Sequence, residues 1–165
     1  MPLFPRVFAL AGALTLAACA GDVAKPDLIV QDIPAAEKAG LRISDVSAEA
    51  APGVDMKPEE LARVIARVKG ELAARTGAPP AAHVGLLFTK YDRGSAAARF
   101  FIAGAGQIVI EADVAFLDDA TGRQIGLYKV GKDFSFGGIY GVSTTLEDVE
   151  GGFAKSVAAL LQPQS

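Results

Sequence analysis

The sequence predicts an α+β fold: a small, mainly antiparallel sheet of three to five strands with two helices packed on one face. Residues 58–76 and 144–160 repeat apolar side chains at helical spacing, whereas the segment between them alternates or runs apolar as strands do. The order strand, helix, two or three strands, helix is typical of helices laid on one side of a single sheet. The length of 165 residues suits one domain, and no internal repeat is visible.

The first eighteen residues have the pattern of a secretion signal. The free amine and Arg6 give a positive start, and residues 7–16 form an apolar run of about ten residues. A membrane-spanning helix needs about twenty apolar residues, so this run is too short to cross a bilayer. The run ends in Leu-Ala-Ala-Cys at residues 16–19. This motif resembles the lipobox of bacterial lipoproteins.

The resemblance to lipoproteins implies a signal peptide over residues 1–18, cleaved between Ala18 and Cys19. It also implies a diacylglycerol thioether on Cys19 and usually an amide-linked acyl chain such as palmitate. Cys19 is the only cysteine, so it has no internal disulfide partner, and a free thiol is a liability in an oxidising compartment. In such proteins an aspartate after the cysteine favours the inner membrane; Ala20 therefore favours an outer-membrane anchor with the domain in the periplasm. The alternative is a plain secretory signal followed by a buried cysteine.

Residues 19–40 are predicted to be a lipidated tether, and residues 41–165 a single α+β domain. Two prolines and scattered charges interrupt any sustained period in the tether, where only residues 28–33 suggest a short extended piece. A first strand is predicted at the start of the domain from the apolar residues Leu41, Ile43 and Val46.

The first helix of the domain is predicted over residues 58–76. Pro58 suits the first helical turn, and Gly77 followed by two prolines ends the helix. Because Glu59 and Glu60 dilute the positive charge of the helix, a core helix with a solvated back is favoured over a membrane-surface helix. Its apolar stripe consists of Leu61, Val64, Ile65, Val68 and Leu72.

Strands are predicted at residues 83–91, 99–103, 107–117 and 123–134. The segment between the last two, Asp-Asp-Ala-Thr-Gly, predicts a hairpin turn, because aspartate tolerates turn geometry and Gly122 can adopt a positive φ. The two strands that flank this turn are expected to pair antiparallel.

The closing helix is predicted to start at a capping box in which Thr144 is the cap and Glu147 reaches back to the cap amide. Gly151 and Gly152 each cost about 1 kcal/mol relative to alanine inside a helix. Either they permit close packing on the sheet, or the helix begins later. The apolar stripe consists of Leu146, Val149, Phe153, Val157 and Leu160.

The segment Arg-Phe-Phe-Ile-Ala-Gly-Ala-Gly at residues 99–106, the alternating strand after it, and the turn at 118–122 resemble a known family. This is the family of bacterial lipoproteins grouped as domain of unknown function 4410. The resemblance spans about residues 41–161. It implies an envelope protein, and it carries no established reaction and therefore no catalytic residue.

Composition and motifs argue against several function classes. A net charge of -3, with no basic run longer than two residues, does not provide the Lys/Arg surface of a nucleic-acid binder. One histidine, His83, and one cysteine cannot make a His/Cys metal cluster, and no Gly-x-Ser-x-Gly elbow marks a nucleophile. His83 is therefore interpreted as a strand-end residue. Gly104 and Gly106 lead into a strand, which favours a bend over a phosphate loop. No enzyme activity, cofactor or metal is predicted.

Two hypotheses of different class remain. The first is a non-catalytic envelope lipoprotein, anchored at Cys19, whose domain binds a protein or other envelope component through an exposed strand edge or the loop at 134–140. The second is a small-ligand-binding or hydrolytic domain that uses Glu111 and Asp113, which share one face of a strand. We favour the first, with the oligomeric state left open. A more economical account of the two carboxylates is cross-strand ion pairing with Arg123, Lys129 and Lys132.

Overall fold

Five strands form one sheet in the computed structural model, which describes residues 26–76, 80–101, 105–134 and 143–162. Their order across the sheet is β1-β5-β4-β3-β2. Every neighbouring pair is antiparallel except β2 with β3, so the predicted mainly antiparallel α+β sheet is confirmed. The strands are β1 Leu28–Gln31, β2 Arg42–Ala50, β3 Ala81–Asp92, β4 Ile108–Asp118 and β5 Gln124–Phe134.

Four helices accompany the sheet in the described ranges: α1 Ala35–Gly40, α2 Pro58–Glu71, α3 Ala96–Phe101 and α4 Leu146–Ala159. The two long ones, α2 and α4, contact each other; α2 packs on β2, and α4 packs on β4 and β5. They therefore cover one face of the sheet, as predicted. The parallel pairing of β2 with β3 follows from α2, because a chain that crosses the sheet through a helix returns in the same direction. None of the described helices is long and apolar enough to span a bilayer.

The core lies between this helical layer and the sheet face beneath it. From Ala82 to Phe88 in β3 and from Ile110 to Phe116 in β4 every second side chain is buried, which is the alternation that a half-covered strand requires. The helices contribute the apolar stripes read from the sequence. The largest fully buried apolar side chains include Phe88, Phe116, Tyr128, Phe153, Leu72 and Leu86.

A buried glutamate joins both long helices to the sheet. Glu150 in α4 is completely inaccessible to solvent. Its carboxylate accepts hydrogen bonds from the Nε and Nη2 atoms of Arg63 in α2, both at 2.7 Å, and from the hydroxyl of Tyr91 in β3 at 2.6 Å. Arg67 Nε lies 3.5 Å from the same carboxylate. Burial, followed by the hydrogen bond to Glu150, raises the pKa of Tyr91 above its ordinary range, so the phenol stays a donor.

A second polar contact fixes the start of α2 to the end of β3. Glu60 is buried and receives two hydrogen bonds of 2.7 Å from the guanidinium of Arg93, which also reaches Asp55 at 2.9 Å. The Glu60 carboxylate also accepts the backbone N–H of Lys57, the residue that caps α2. The hydrogen bonds from Arg93 outweigh desolvation and lower the pKa of Glu60. The helix terminus is therefore held by a paired charge rather than by water.

The folded part begins earlier than the predicted boundary at residue 41. Leu28–Gln31, assigned to the tether in the sequence, pairs with β5 and completes the sheet. Behind it the hydroxyl of Tyr128 donates to Asp32 at 2.6 Å and accepts the Ile33 N–H at 2.8 Å, while Lys38 binds Asp32 at 2.6 Å. Burial opposes ionisation of Asp32, but the hydrogen bonds from Lys38 and Tyr128 prevail and lower its pKa. These partners are distant in sequence, so local patterns could not reveal them.

Two local predictions are wrong. Of the strand predicted at residues 99–103, residues 99–101 belong to helix α3, and residues 102 and 103 lie outside the described ranges. The helix starts after Ser95, whose hydroxyl accepts the Ala98 N–H at 3.3 Å. The cap of α4 is Thr145 rather than Thr144. Its hydroxyl accepts the Asp148 N–H at 3.1 Å, and Asp148, not Glu147, accepts the Thr145 N–H at 2.8 Å. Thr144 with Glu147 and Thr145 with Asp148 both fit the capping-box pattern, and the two candidate caps are adjacent in the sequence.

Of the two glycines in α4, Gly152 allows close packing on the sheet. The helix starts at Leu146 and continues through both glycines, so a later start is excluded. A methyl group added at Gly152 would lie 3.1 Å from the side chain of Lys132 on β5. A methyl group added at Gly151 would make only an ordinary contact, 3.8 Å from Arg67, so the close-packing interpretation is confirmed for Gly152 alone.

We expect Glu150→Ala to lower the free energy of unfolding by about 3 kcal/mol, because it leaves Arg63 and the Tyr91 hydroxyl without their buried partner. Equilibrium unfolding in urea measures this change. The matched control is Glu147→Ala on the same helix: its carboxylate is exposed and lies 3.8 Å from Arg67, so a loss below about 1 kcal/mol is expected. Equal losses in the two variants would contradict the structural role of Glu150.

Candidate binding surface

The face of the sheet opposite α2 and α4 carries no helix within the described ranges; we call it the open face. Its centre is apolar and half-buried, and it is built from outward-facing residues of the three central strands. Strand register brings these residues together: Gly85 pairs with Ala115, and Ala115 pairs with Leu127. The central members of the open face are Gly85, Leu87, Ala115 and Leu127.

Two small residues make a depression in this face. Gly85 and Ala115 lie side by side, with the larger Leu87 and Leu127 beside them, and the resulting hollow has a volume of about 380 Å³. A methyl group added at Gly85 would have no heavy atom within 4 Å, so the space above this glycine is open. An apolar hollow with a polar border suits an aliphatic side chain or another small apolar group.

Ser47, Glu49 and Asp113 supply the polar border of the hollow, and His83 lies beside Ser47. The Ser47 hydroxyl lies 2.6 Å from Nε2 of His83, and both side chains face the open side of the sheet. A serine nucleophile needs a base oriented by a third group and donors for the oxyanion. The carboxylate paired in register with His83 is Asp45, and Lys69 binds it at 2.6 Å. The contact between Ser47 and His83 therefore serves best as a hydrogen bond that orders the border.

The two acidic residues of the second hypothesis are ion-paired. Asp113 accepts a hydrogen bond of 2.7 Å from Lys129 on β5, which is one of the cross-strand partners expected from the sequence. Glu111 lies 3.8 Å from Lys90 on β3, a partner that the sequence analysis did not anticipate. Cross-strand pairing thus accounts for both carboxylates. Within the described ranges no group of three or more His, Cys, Asp or Glu side chains could hold a metal ion.

The edge of the sheet offers a second surface. β1 is an edge strand, and the large side chains Leu28, Ile29 and Val30 are 51%, 43% and 53% exposed. This strand corresponds to the exposed strand edge of the first hypothesis. Of the loop predicted at 134–140, Phe134 ends β5, and residues 135–140 lie outside the described ranges, as does the lipidation site at Ala18 and Cys19.

The structure therefore brings together residues that the sequence analysis did not single out. Gly85 sits in the middle of a strand between Val84 and the large apolar residues Leu86, Leu87 and Phe88, and a glycine at such a position commonly marks a gap or a close approach. That signal was present in the sequence. Its alignment with Ala115 and Leu127 depends on strand register, which the sequence did not specify.

We expect Gly85→Val to leave stability unchanged or to raise it by up to about 1 kcal/mol, since valine favours strands and the added methyl groups enter open space. Gly126→Val is the matched control on β5. There the first added carbon would lie 2.6 Å from the buried side chain of Ile33, so a loss of about 1–3 kcal/mol is expected from overpacking. Thermal unfolding of both variants measures the two changes in stability. A loss of stability in Gly85→Val would contradict the prediction.

Comparisons with solved structures identify similar folds. PelC from Paraburkholderia phytofirmans, solved as a dodecamer, is 12% identical, with a TM-score of 0.55 over 82% of this chain and 96% of that chain. A second PelC dodecamer is 11% identical, with a TM-score of 0.48 over 75% and 92% of the two chains. A candidate lipoprotein from Caulobacter crescentus CB15 is 19% identical, with a TM-score of 0.45 over 75% and 87%. At these identities the likeness to PelC describes the fold alone.

A family model covers the central part of the chain. No curated protein sequence matches significantly. The family model described as "Domain of unknown function (DUF4410)" matches residues 55–138, about half of the chain. The matched region runs from the start of α2 to just beyond β5, so it contains the hairpin whose residues suggested this family. The chain belongs to the DUF4410 family of proteins of unknown function.

Proposed function

We propose that the protein is a lipoprotein of the cell envelope, anchored through acylated Cys19 in the outer membrane on its periplasmic face. We further propose that its domain is a non-catalytic module that binds a protein or other envelope component on the open face. The observation that carries the second part is the apolar hollow between Gly85 and Ala115, which no described helix covers.

The distribution of charge supports binding rather than catalysis. On the helical side the buried carboxylates of Glu60 and Glu150 are bound by arginines. On the open side Asp113 is held by a lysine. An acid or base catalyst requires a group that is poised to exchange a proton with a substrate, whereas each of these carboxylates is committed to a cation. An uncommitted apolar hollow with a polar border is instead typical of a recognition surface.

The open face also suits protein recognition by its shape. It is a shallow hollow on a sheet rather than a deep enclosed pocket, so a small molecule would remain largely exposed in it. A protruding apolar side chain of a partner would fill the space above Gly85, and the partner's main chain could reach the polar border at Ser47 and Glu49. Glu111 borders a second depression of about 340 Å³, but polar side chains line most of it.

The lipid anchor is tested by Cys19→Ser. We expect an unprocessed precursor that takes up no labelled fatty acid and leaves the membrane fraction, since serine provides no thioether. Mass spectrometry of the mature wild-type N-terminus should give acylated Cys19 as the first residue. Normal cleavage and labelling of the Cys19→Ser variant would refute the anchor.

The binding surface is tested by site-specific photo-crosslinking of the full-length lipidated protein in native envelopes. A photoreactive residue at Leu127, on the open face, should give a discrete adduct, and the same residue at Lys155, on the exposed side of α4, is the matched control. Gly85→Val should reduce the Leu127 adduct about tenfold, because filling the hollow excludes the partner's side chain at a cost of about 1.4 kcal/mol.

Two outcomes would contradict the binding proposal. Adducts of equal yield at Leu127 and Lys155, unaffected by Gly85→Val, would show that the open face is not the contact. Absence of a discrete adduct, together with loss of cellular function in Glu111→Gln, would favour the alternative of a small-ligand-binding or hydrolytic domain that uses Glu111 and Asp113.

A further inference from the structure

β1 differs from an ordinary edge strand in having both of its faces exposed. Leu28 is in register with Lys129, which lies on the open face, whereas Ile29 is in register with Tyr128, which is buried beneath the helices. Nevertheless Leu28, Ile29 and Val30 are all about half exposed. Natural edge strands are usually blunted by charged side chains, and Leu28–Gln31 contains none. The opposite edge, β2, does carry such charges, among them Arg42, Asp45 and Glu49.

The position of β1 along the chain relates it to the anchor. Eight residues separate Cys19 from Leu28. An extended chain covers at most about 3.5 Å per residue, so the anchor and β1 are separated by no more than about 30 Å. Among the described residues, which begin at 26, β1 is the first element of the fold. A protein held by acylated Cys19 would therefore keep this apolar edge close to the lipid headgroups.

We propose that β1 contacts the membrane surface edge-on, with Leu28, Ile29 and Val30 entering the boundary between headgroups and acyl chains. This inference rests on the proposed acylation of Cys19. Side chains that point to both sides of one strand form a ridge, and a ridge fits a deformable lipid surface. Apolar side chains at this depth add to the hold of a lipid anchor, while water at headgroup level still reaches the backbone of the strand edge.

A lipid surface accounts for β1 better than an added protein strand does. β1 has four residues, and its register with β5 shifts between Ile29 and Gln31. A short, irregular edge gives an incoming strand few hydrogen bonds, and such irregularities are a device that prevents strand addition. Asp27 and Asp32 flank the strand, and Asp32 is bound by Lys38 at 2.6 Å. Between these two aspartates, Leu28, Ile29 and Val30 offer apolar side-chain area, which lipid can cover without a matching register.

The absence of tryptophan from the sequence permits a direct test. Ile29→Trp places one reporter on β1, and Glu49→Trp places the matched control on β2, four strand spacings or about 19 Å away. Each full-length, lipidated variant is reconstituted in vesicles of phosphatidylethanolamine and phosphatidylglycerol, with and without brominated acyl chains. We expect quenching at residue 29 to exceed that at residue 49 by about threefold, because bromine quenches only at short range and apolar groups reach about 5–10 Å into the boundary. Leu28→Trp and Val30→Trp repeat the measurement should Ile29→Trp alter the strand.

The outcomes separate this inference from the proposed function. Mass spectrometry and vesicle flotation first establish whether Cys19 is acylated; an unmodified cysteine on a protein that does not float would overturn both the anchor and the membrane contact. In an acylated, floating protein, equal quenching at residues 29 and 49 would overturn the membrane contact alone. A blue-shifted emission at residue 29 without bromine quenching would also overturn it, by indicating that a protein, such as a second copy of this chain, covers β1.

Discussion

The buried carboxylate of Glu150 is the contact on which the arrangement of layers depends. It draws Arg63 of α2 and Tyr91 of β3 to one point of α4, at donor–acceptor distances of 2.6–2.7 Å. A buried charge is costly unless every oxygen is paired, so the helices cannot slide or separate without exposing an unpaired ion. Apolar stripes alone would tolerate several helix positions. The ionic contact selects one, with both long helices on the same side, and the opposite face of the sheet is left open as a result.

Much of the fold could be predicted from local pattern. The structure confirms three features that depend only on residues close together in the sequence. They are the alternation in β4, the turn that ends at Gly122 and the apolar stripe of α2. Glycine at residue 122 adopts the positive φ of 67° that the turn requires. Predictions failed where one segment fitted two local patterns equally well. The frames starting at Thr144 and Thr145 both satisfy a capping box, and the alanine-rich residues before Gly104 suit a helix as well as a strand.

The candidate surface was less predictable because it arises from register and distant pairing. Asp32 and Tyr128 are 96 positions apart, and their hydrogen bond is part of what makes β1 belong to the sheet. No periodicity within residues 19–40 contains that information. Gly85 was visible as an anomaly in an apolar strand, but a hollow requires Ala115 beside it, and adjacency across strands follows only from the pairing of β3 with β4. The cross-strand pairing of the acidic residues Glu111 and Asp113, in contrast, was predicted correctly in part, since Asp113 pairs with Lys129.

The sheet separates two kinds of surface. On the helical side the buried carboxylates of Glu60 and Glu150 bind arginines and so hold the helices in place. This side of the sheet therefore serves stability. Apolar area remains available on the other side, at the hollow beside Gly85, and on both faces of the edge strand β1. A chain with a net charge of -3 gains nothing in solubility from such exposure, and exposed apolar area of this kind usually marks contact with a partner or a membrane. Under the proposed acylation of Cys19, nine positions before Leu28, lipid would cover the edge first and leave the hollow, two to three strands away, free for a partner.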